Sequence, residues 1–192
     1  MNDLIPYRLI LASASPRRQQ LLREMGLEFT VKVKPVDESF PEELTREKVA
    51  LFLCEKKSDA FHDDEIGDNE VIITADTVVC LEDEILNKPA DRREAVGMLE
   101  KLSGRRHEVI TAICLRNIGK RKSFFVSTTV YFKSLSREEI VFYVDRYQPY
   151  DKAGSYGIQE WIGYTGIEKI QGSYFNVVGL PTARLYEELK RF

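Results

Sequence analysis

Long apolar runs are missing from this sequence. None approaches the roughly twenty residues that a helix needs to cross a bilayer, so no membrane partner is expected. Cysteine is scarce: Cys54, Cys80 and Cys114 are far apart, odd in number and form no CxxC pair. With only two histidines beside them, the pattern excludes a disulfide framework and a zinc site. A strong charge of one sign is also missing. The net charge of −3 gives no overall field to recruit nucleic acid, so any anion site must be a local cluster. There is no GxxxxGK[ST] phosphate loop, no internal repeat and no low-complexity linker. The start, "MNDLIPYR", lacks a basic segment followed by an apolar one, so no signal peptide is expected and a cytoplasmic location is the default.

What remains is a chain of 192 residues, 43% hydrophobic and 31% charged, which is the make-up of a soluble globular protein with ample core. The expectation is one domain over residues 1–192. "YRLILAS" (Tyr7 to Ser13) reads as a short buried strand. Ser15 is then a helix N-cap with Pro16 at the first helical position, Leu21, Leu22 and Met25 form the buried stripe, and Gly26 stops the helix. "EFTVKVKPV" alternates like a half-exposed strand, and Thr45 to about Phe61 has helical spacing. "EVIITADTVVCLEDEIL" reads as a buried strand interrupted by a polar pair, then an acidic turn and a short strand. Asp91 with Glu94, and Ser136 with Glu139, form capping boxes for two further helices. Between them "HEVITAICLRN" and "KSFFVSTTVYFKSL" predict an antiparallel pair of long strands. The mixture points to a mixed α/β fold rather than a plain doubly wound sheet.

Several residues look out of place. Arg17 and Arg18 fall in the first turn of the first helix, where the helix dipole opposes cations by up to about 1 kcal/mol. A polyphosphate would reverse that sign, because helix-start amides and guanidinium forks both bind phosphate oxygens. Ser13, Ala14 and Ser15 are small enough to let it approach the backbone. On local physics alone, two solvated surface arginines remain the ordinary reading. Asp76, in "VIITADTVV", is flanked by apolar β-branched residues, so its carboxylate needs a partner: a metal, a proton to accept, or a structural hydrogen-bond hub. Thr77 adds a hydroxyl beside it. Lys56, Lys88 and Glu38 are unremarkable one by one, and neither His62 nor His107 has a visible partner. "DKAGSYGIQE" is either a tight surface turn or a pocket wall with Gln159 able to meet a base edge.

Seven segments in this order resemble the Maf family of nucleoside triphosphate pyrophosphatases: "LILASASPRRQQLL", "EK" at Glu55–Lys56, "TADTVV", "LNKPADRREAVGML", "LSGRRHEVITAICL", "DKAGSYGIQ" and "IEKIQGSYFNVVGLP". The resemblance implies an elongated, highly curved mixed sheet between two lobes, with the active site in the cleft. It implies hydrolysis of a nucleoside triphosphate to the monophosphate and pyrophosphate with a divalent cation, Mg²⁺ or Mn²⁺, in a protein that is often a homodimer. Ser13, Arg17 and Arg18 then correspond to the phosphate-gripping helix start, and Lys56 and Lys88 to lysines facing the triphosphate. Asp76 corresponds to the proton acceptor, Glu38 with Asp76 to the metal side, and Arg17, Thr77 and Gln159 to substrate choice. "SPRR", "ADT" and "YGIQ" match the subgroup acting on dTTP and UTP. Glu160 and Trp161 depart from the family's glycine-rich continuation, which puts Trp161 where it would narrow or stack over the nucleotide pocket. A second reading, a nucleotide-binding regulator of septum formation with little hydrolysis, follows from the family's name.

Overall fold

The computed structural model describes residues 5–192; the first residues of the amino-terminal segment read above lie outside them. The long strand β3 (Glu70–Leu81) organises the chain. On one side it pairs in parallel with β1 (Arg8–Leu11), which pairs in parallel with β2 (Phe29–Val31). On the other side it pairs antiparallel with β5 (Arg106–Arg116), followed by β6 (Arg121–Phe132) and β7 (Ile167–Gln171). The short β4 (Glu84–Leu86) joins the far end of β3, giving a seven-stranded mixed sheet with helices on its faces. No helix among the described residues is long and apolar enough to cross a membrane.

The polar pair does not interrupt β3. Asp76 and Thr77 stay within its ladder, opposite Ala112 and Thr111 of β5. Side chains alternate faces along a strand, and the burial pattern follows that alternation. Val71, Ile73 and Ala75 enter one apolar core with α1 (Pro16–Glu24) and α7 (Thr182–Lys190). Val79 and Leu81, on the same face, enter a second core with α3 (Arg92–Leu102) and α4 (Arg137–Tyr147). Thr77 lies on that face between the two cores. On the opposite face, Val78 and Cys80 pack against Val49, Ala50, Leu53 and Cys54 of α2 (Glu47–Asp59).

Local chemistry accounts for the element ends. Ser15 caps α1 through Arg18 N–H, with Pro16 at the first position and Gly26 at φ +70° beyond the end. The Ser136–Glu139 capping box is complete. The Asp91 one is half formed: Asp91 accepts from Glu94 N–H, but the Glu94 carboxylate accepts from Ala90 N–H instead of Asp91. The expected strand "EFTVKVKPV" is three residues long, and Pro35, which has no N–H to offer a ladder, follows it. The irregular segment beyond carries Glu38 to the cleft.

Candidate active site

β1 leaves β3 after the Leu11–Ile73 pair, and β4 joins only at Val79. Between them the edge of β3 is open, and Asp76 and Thr77 project from this notch to opposite faces. A cleft of about 400 Å³ passes through it, lined by Ser13, Arg17, Arg18, Glu38, Lys57, Asp76, Thr77, Lys88 and Gln159. Eight of these nine are residues singled out from the sequence. Lys57 is the addition, and Lys56 is the one left out.

The Lys57 ammonium sits between two carboxylates, 2.5 Å from Asp76 Oδ1 and 2.8 Å from Glu38 Oε1. Lys88 reaches the other Glu38 oxygen at 3.0 Å. Partial burial pushes the Glu38 carboxyl up, but the hydrogen bonds and charges of Lys57 and Lys88 outweigh it and bring it down to about 2. Asp76 is only 8% exposed and bonds Lys57 alone among the described side chains. Lys56 points elsewhere, donating to Asp37 (3.3 Å) and the Ser39 carbonyl (2.9 Å). The reason is helical phase. The buried stripe of α2 is Val49, Ala50, Leu53, Cys54 and Ser58, which places Lys57 on the sheet-facing side and Lys56 on its flank. In the sequence both lysines continue the apolar stripe, Lys57 four residues after Leu53 and Lys56 three, so spacing alone does not separate them.

The two arginines differ as sharply. Arg18 is not a solvated surface residue. Its Nε donates to Gly179 O (2.9 Å), Nη1 to Ala75 O (2.8 Å) and Ser13 Oγ (3.3 Å), and Nη2 to Thr77 Oγ1 (3.0 Å). Four of the five N–H donors of a guanidinium are thereby spent on the protein. Burial lowers the Arg18 pKa, with Asp76 opposing. Arg17 keeps 26% of its side chain exposed, facing the cleft and paired with Asp151 at 2.8 Å. Ser13 Oγ accepts from Ser15 N–H and Arg18, which leaves its own proton to donate.

The glycine-rich loop is a cleft wall, not a surface turn. Gly154 has φ +68°, and a Cβ there would lie 2.9 Å from Val79 Cγ1. At Gly163 a Cβ would fall 1.8 Å from the Ile158 carbonyl oxygen, so only glycine permits this close approach to the residue before Gln159. Gln159 Oε1 is buried with no partner. Trp161 does not lie over the cleft: it packs edge-on against Phe142, centroids 5.0 Å apart, on the outside of α4. His107 does acquire a partner, Tyr156 OH at 2.7 Å from Nε2, and burial alone lowers its pKa to about 3. The three cysteines are buried and free of disulfides.

Known proteins resemble this chain in fold and in sequence. A solved structure of the Ham1 protein of Staphylococcus aureus superposes with a TM-score of 0.50 over 94% of this chain and 99% of that one; at 18% identity the likeness is one of fold. A protein of Bacteroides fragilis named dTTP/UTP pyrophosphatase is 50% identical over all of this chain and 99% of its own. Namesakes from Porphyromonas gingivalis and Christiangramia forsetii are 47% and 48% identical, over 98% and 93% of their lengths. The family model described as "Maf-like protein" matches residues 8–192, every segment of the cleft included, and the chain belongs to that family.

Proposed function

We propose that the cleft hydrolyses dTTP and UTP between the α- and β-phosphates, releasing the nucleoside monophosphate and pyrophosphate. The observation that carries this reading is the position of Asp76: a nearly buried carboxylate at a notch in the sheet edge, held by Lys57 and facing a cleft lined with cations. Relatives nearly half identical over their full length carry the matching name.

Phosphoryl transfer asks the protein for positioning and charge stabilisation more than for covalent chemistry. The start of α1 offers the Arg17 amide, the Ser13 hydroxyl and the Arg17 guanidinium to the phosphates. Lys57 and Lys88 face them from the other side. Asp76 Oδ1 is bound to Lys57, so Oδ2 is the oxygen turned to the attacking water, whose proton it accepts. Arg18 acts from behind, fixing Ser13, Ala75 and Thr77 in place.

Asp76 and Glu38 converge on one point, now bridged by Lys57, and two hard carboxylates suit Mg²⁺ or Mn²⁺. No group of three or more His, Cys, Asp or Glu among the described residues is placed to hold a metal ion, so phosphate oxygens and water would complete the coordination. When bound, such a cation neutralises phosphate oxygens and the charge growing on the departing pyrophosphate. The test is a panel of nucleoside triphosphates incubated with Mg²⁺ and assayed for pyrophosphate and monophosphate. Turnover of UTP and dTTP that is abolished by Asp76→Asn is expected; turnover that survives this change removes Asp76 from the chemistry.

A further inference from the structure

Between Arg17 and the buried Tyr143 runs a row of alternating charges that the proposed chemistry does not use. Arg17 Nη1 donates to Asp151 Oδ2 at 2.8 Å, the one side-chain hydrogen bond of this guanidinium among the described residues. Asp151 Oδ1 accepts from Lys152 Nζ at 2.7 Å, and the same ammonium lies 3.0 Å from Glu160 Oε1. The other Glu160 oxygen accepts from Tyr143 OH, which itself accepts from Gly157 N–H at 3.0 Å. Two cations and two carboxylates leave the row neutral.

The inner end of this row is fixed and the outer end is loose. Tyr143 is fully buried in α4. Glu160 precedes the short helix α5 (Trp161–Gly166), and its side chain packs so closely on Gly157 that a Cβ there would lie 2.8 Å from Glu160 Cδ. Lys152, whose side chain is only 10% exposed, is therefore held from below. Asp151 lines the cleft with 59% of its side chain exposed and has a cation on each oxygen. Partial burial pushes its carboxyl up, but the bonds from Lys152 and Arg17 outweigh that and hold it below the usual range. An ammonium has three N–H donors, and Lys152 spends two on Asp151 and Glu160. The third can take the Asp151 oxygen that Arg17 now holds. Asp151 can thus leave Arg17 without losing all its partners, whereas a carboxylate and a phosphate cannot both occupy the same edge of the guanidinium.

We propose that Asp151 is a positioning residue that stands in for phosphate: it holds the Arg17 guanidinium, gives it up to the substrate's phosphates by moving onto Lys152, and takes it back as pyrophosphate leaves. The inference rests on the nucleotide pyrophosphatase reading and adds to it a route for product release. An ion pair this exposed contributes little stability, so the exchange costs little in either direction. A triphosphate, with more charge and more acceptor oxygens, displaces the carboxylate. Pyrophosphate, once severed from the nucleoside, is the ligand that Asp151 competes away.

The experiment measures binding of inorganic pyrophosphate with Mg²⁺ by calorimetry in wild type, Asp151→Asn, Asp151→Glu, Arg17→Ala and the double variant of Arg17→Ala with Asp151→Asn. Asparagine keeps the shape of aspartate and loses its charge. Asp151→Asn is expected to tighten pyrophosphate binding about fivefold, and the inhibition constant of pyrophosphate in UTP hydrolysis should fall in parallel. Asp151→Glu, which restores the charge, should stay within about twofold of wild type. In the Arg17→Ala background, Asp151→Asn should move binding by less than about twofold, since no guanidinium is left to exchange. Unchanged or weaker pyrophosphate binding in Asp151→Asn overturns the proposal, and a role confined to folding gives that result. Equal tightening with and without Arg17 overturns it as well, because it reports only a lost negative charge. If wild type cleaves neither UTP nor dTTP, the functional reading itself fails, while the calorimetric comparison decides the exchange on its own.

Discussion

Lys57 Nζ lies 2.5 Å from Asp76 Oδ1 and 2.8 Å from Glu38 Oε1, so one ammonium orients both carboxylates of the cleft. Its neighbour in sequence, Lys56, is tied to Asp37 and the Ser39 carbonyl. Two adjacent lysines on one helix therefore have separable consequences. Lys57→Ala is expected to lower kcat by roughly a hundredfold or more, while Lys56→Ala stays within about threefold of wild type. Steady-state kinetics on UTP checks both; equal losses would mean that helical phase does not separate their roles.

The two arginines make a second contrast. Arg18 is half-buried and bonds four groups on three segments, so Arg18→Ala leaves several acceptors stranded and should cost about 3 kcal/mol or more of folding stability. Arg17 is partly exposed and holds only Asp151. Arg17→Ala should change stability by less than about 1 kcal/mol and instead raise KM roughly tenfold. Chemical denaturation beside kinetics separates the two.

Much of the architecture was legible from the residues. The Ser15–Pro16 helix start, the Ser136–Glu139 box and the β5–β6 pair follow from local rules, and the seven ordered segments point to the family. Four features were not legible, each because tertiary packing decides it. Arg18 reads as solvated until β3 and Gly179 are seen to enclose its fork. Lys57 is distinguished from Lys56 only by which face of α2 meets the sheet. The pair Asp76 and Thr77 looks like a break in a strand, yet it stays in the ladder because β1 and β4 leave its outer edge open while β5 satisfies the inner one. Trp161, expected over the cleft, finds Phe142 instead.

Acid stability should carry the mark of Glu38. Its carboxyl is lowered from 4.5 to about 2 in the folded chain, so the folded state gains from its charge above 4.5 and loses that gain as pH falls from 4.5 to about 2. Thermal melts across that window should show Glu38→Gln with a shallower decline than wild type. Parallel declines would mean that Glu38 is not held by Lys57 and Lys88.

His107 acts at higher pH. Burial lowers its pKa from 6.5 to about 3, so the unfolded chain takes up a proton that the folded chain refuses. Stability from the neutral ring is complete above 6.5 and declines as pH falls toward 3. Between 6.5 and 4.5 Glu38 contributes no slope, and the loss in that interval belongs to His107 when the two are compared. His107→Phe should be less stable at neutral pH, having lost the bond to Tyr156, but should flatten the slope between 6.5 and 4.5. An unchanged slope in melts of the variant would contradict a neutral buried His107.

The central claim is attack by water on the α-phosphorus within this cleft. Hydrolysis of UTP by the wild-type chain in heavy-oxygen water, with Mg²⁺ present and products read by mass spectrometry, tests it most directly. The account predicts one heavy oxygen in UMP, none in pyrophosphate, and no product when Asp76 is changed to Asn. Label in pyrophosphate, or release of single phosphates instead, would contradict it.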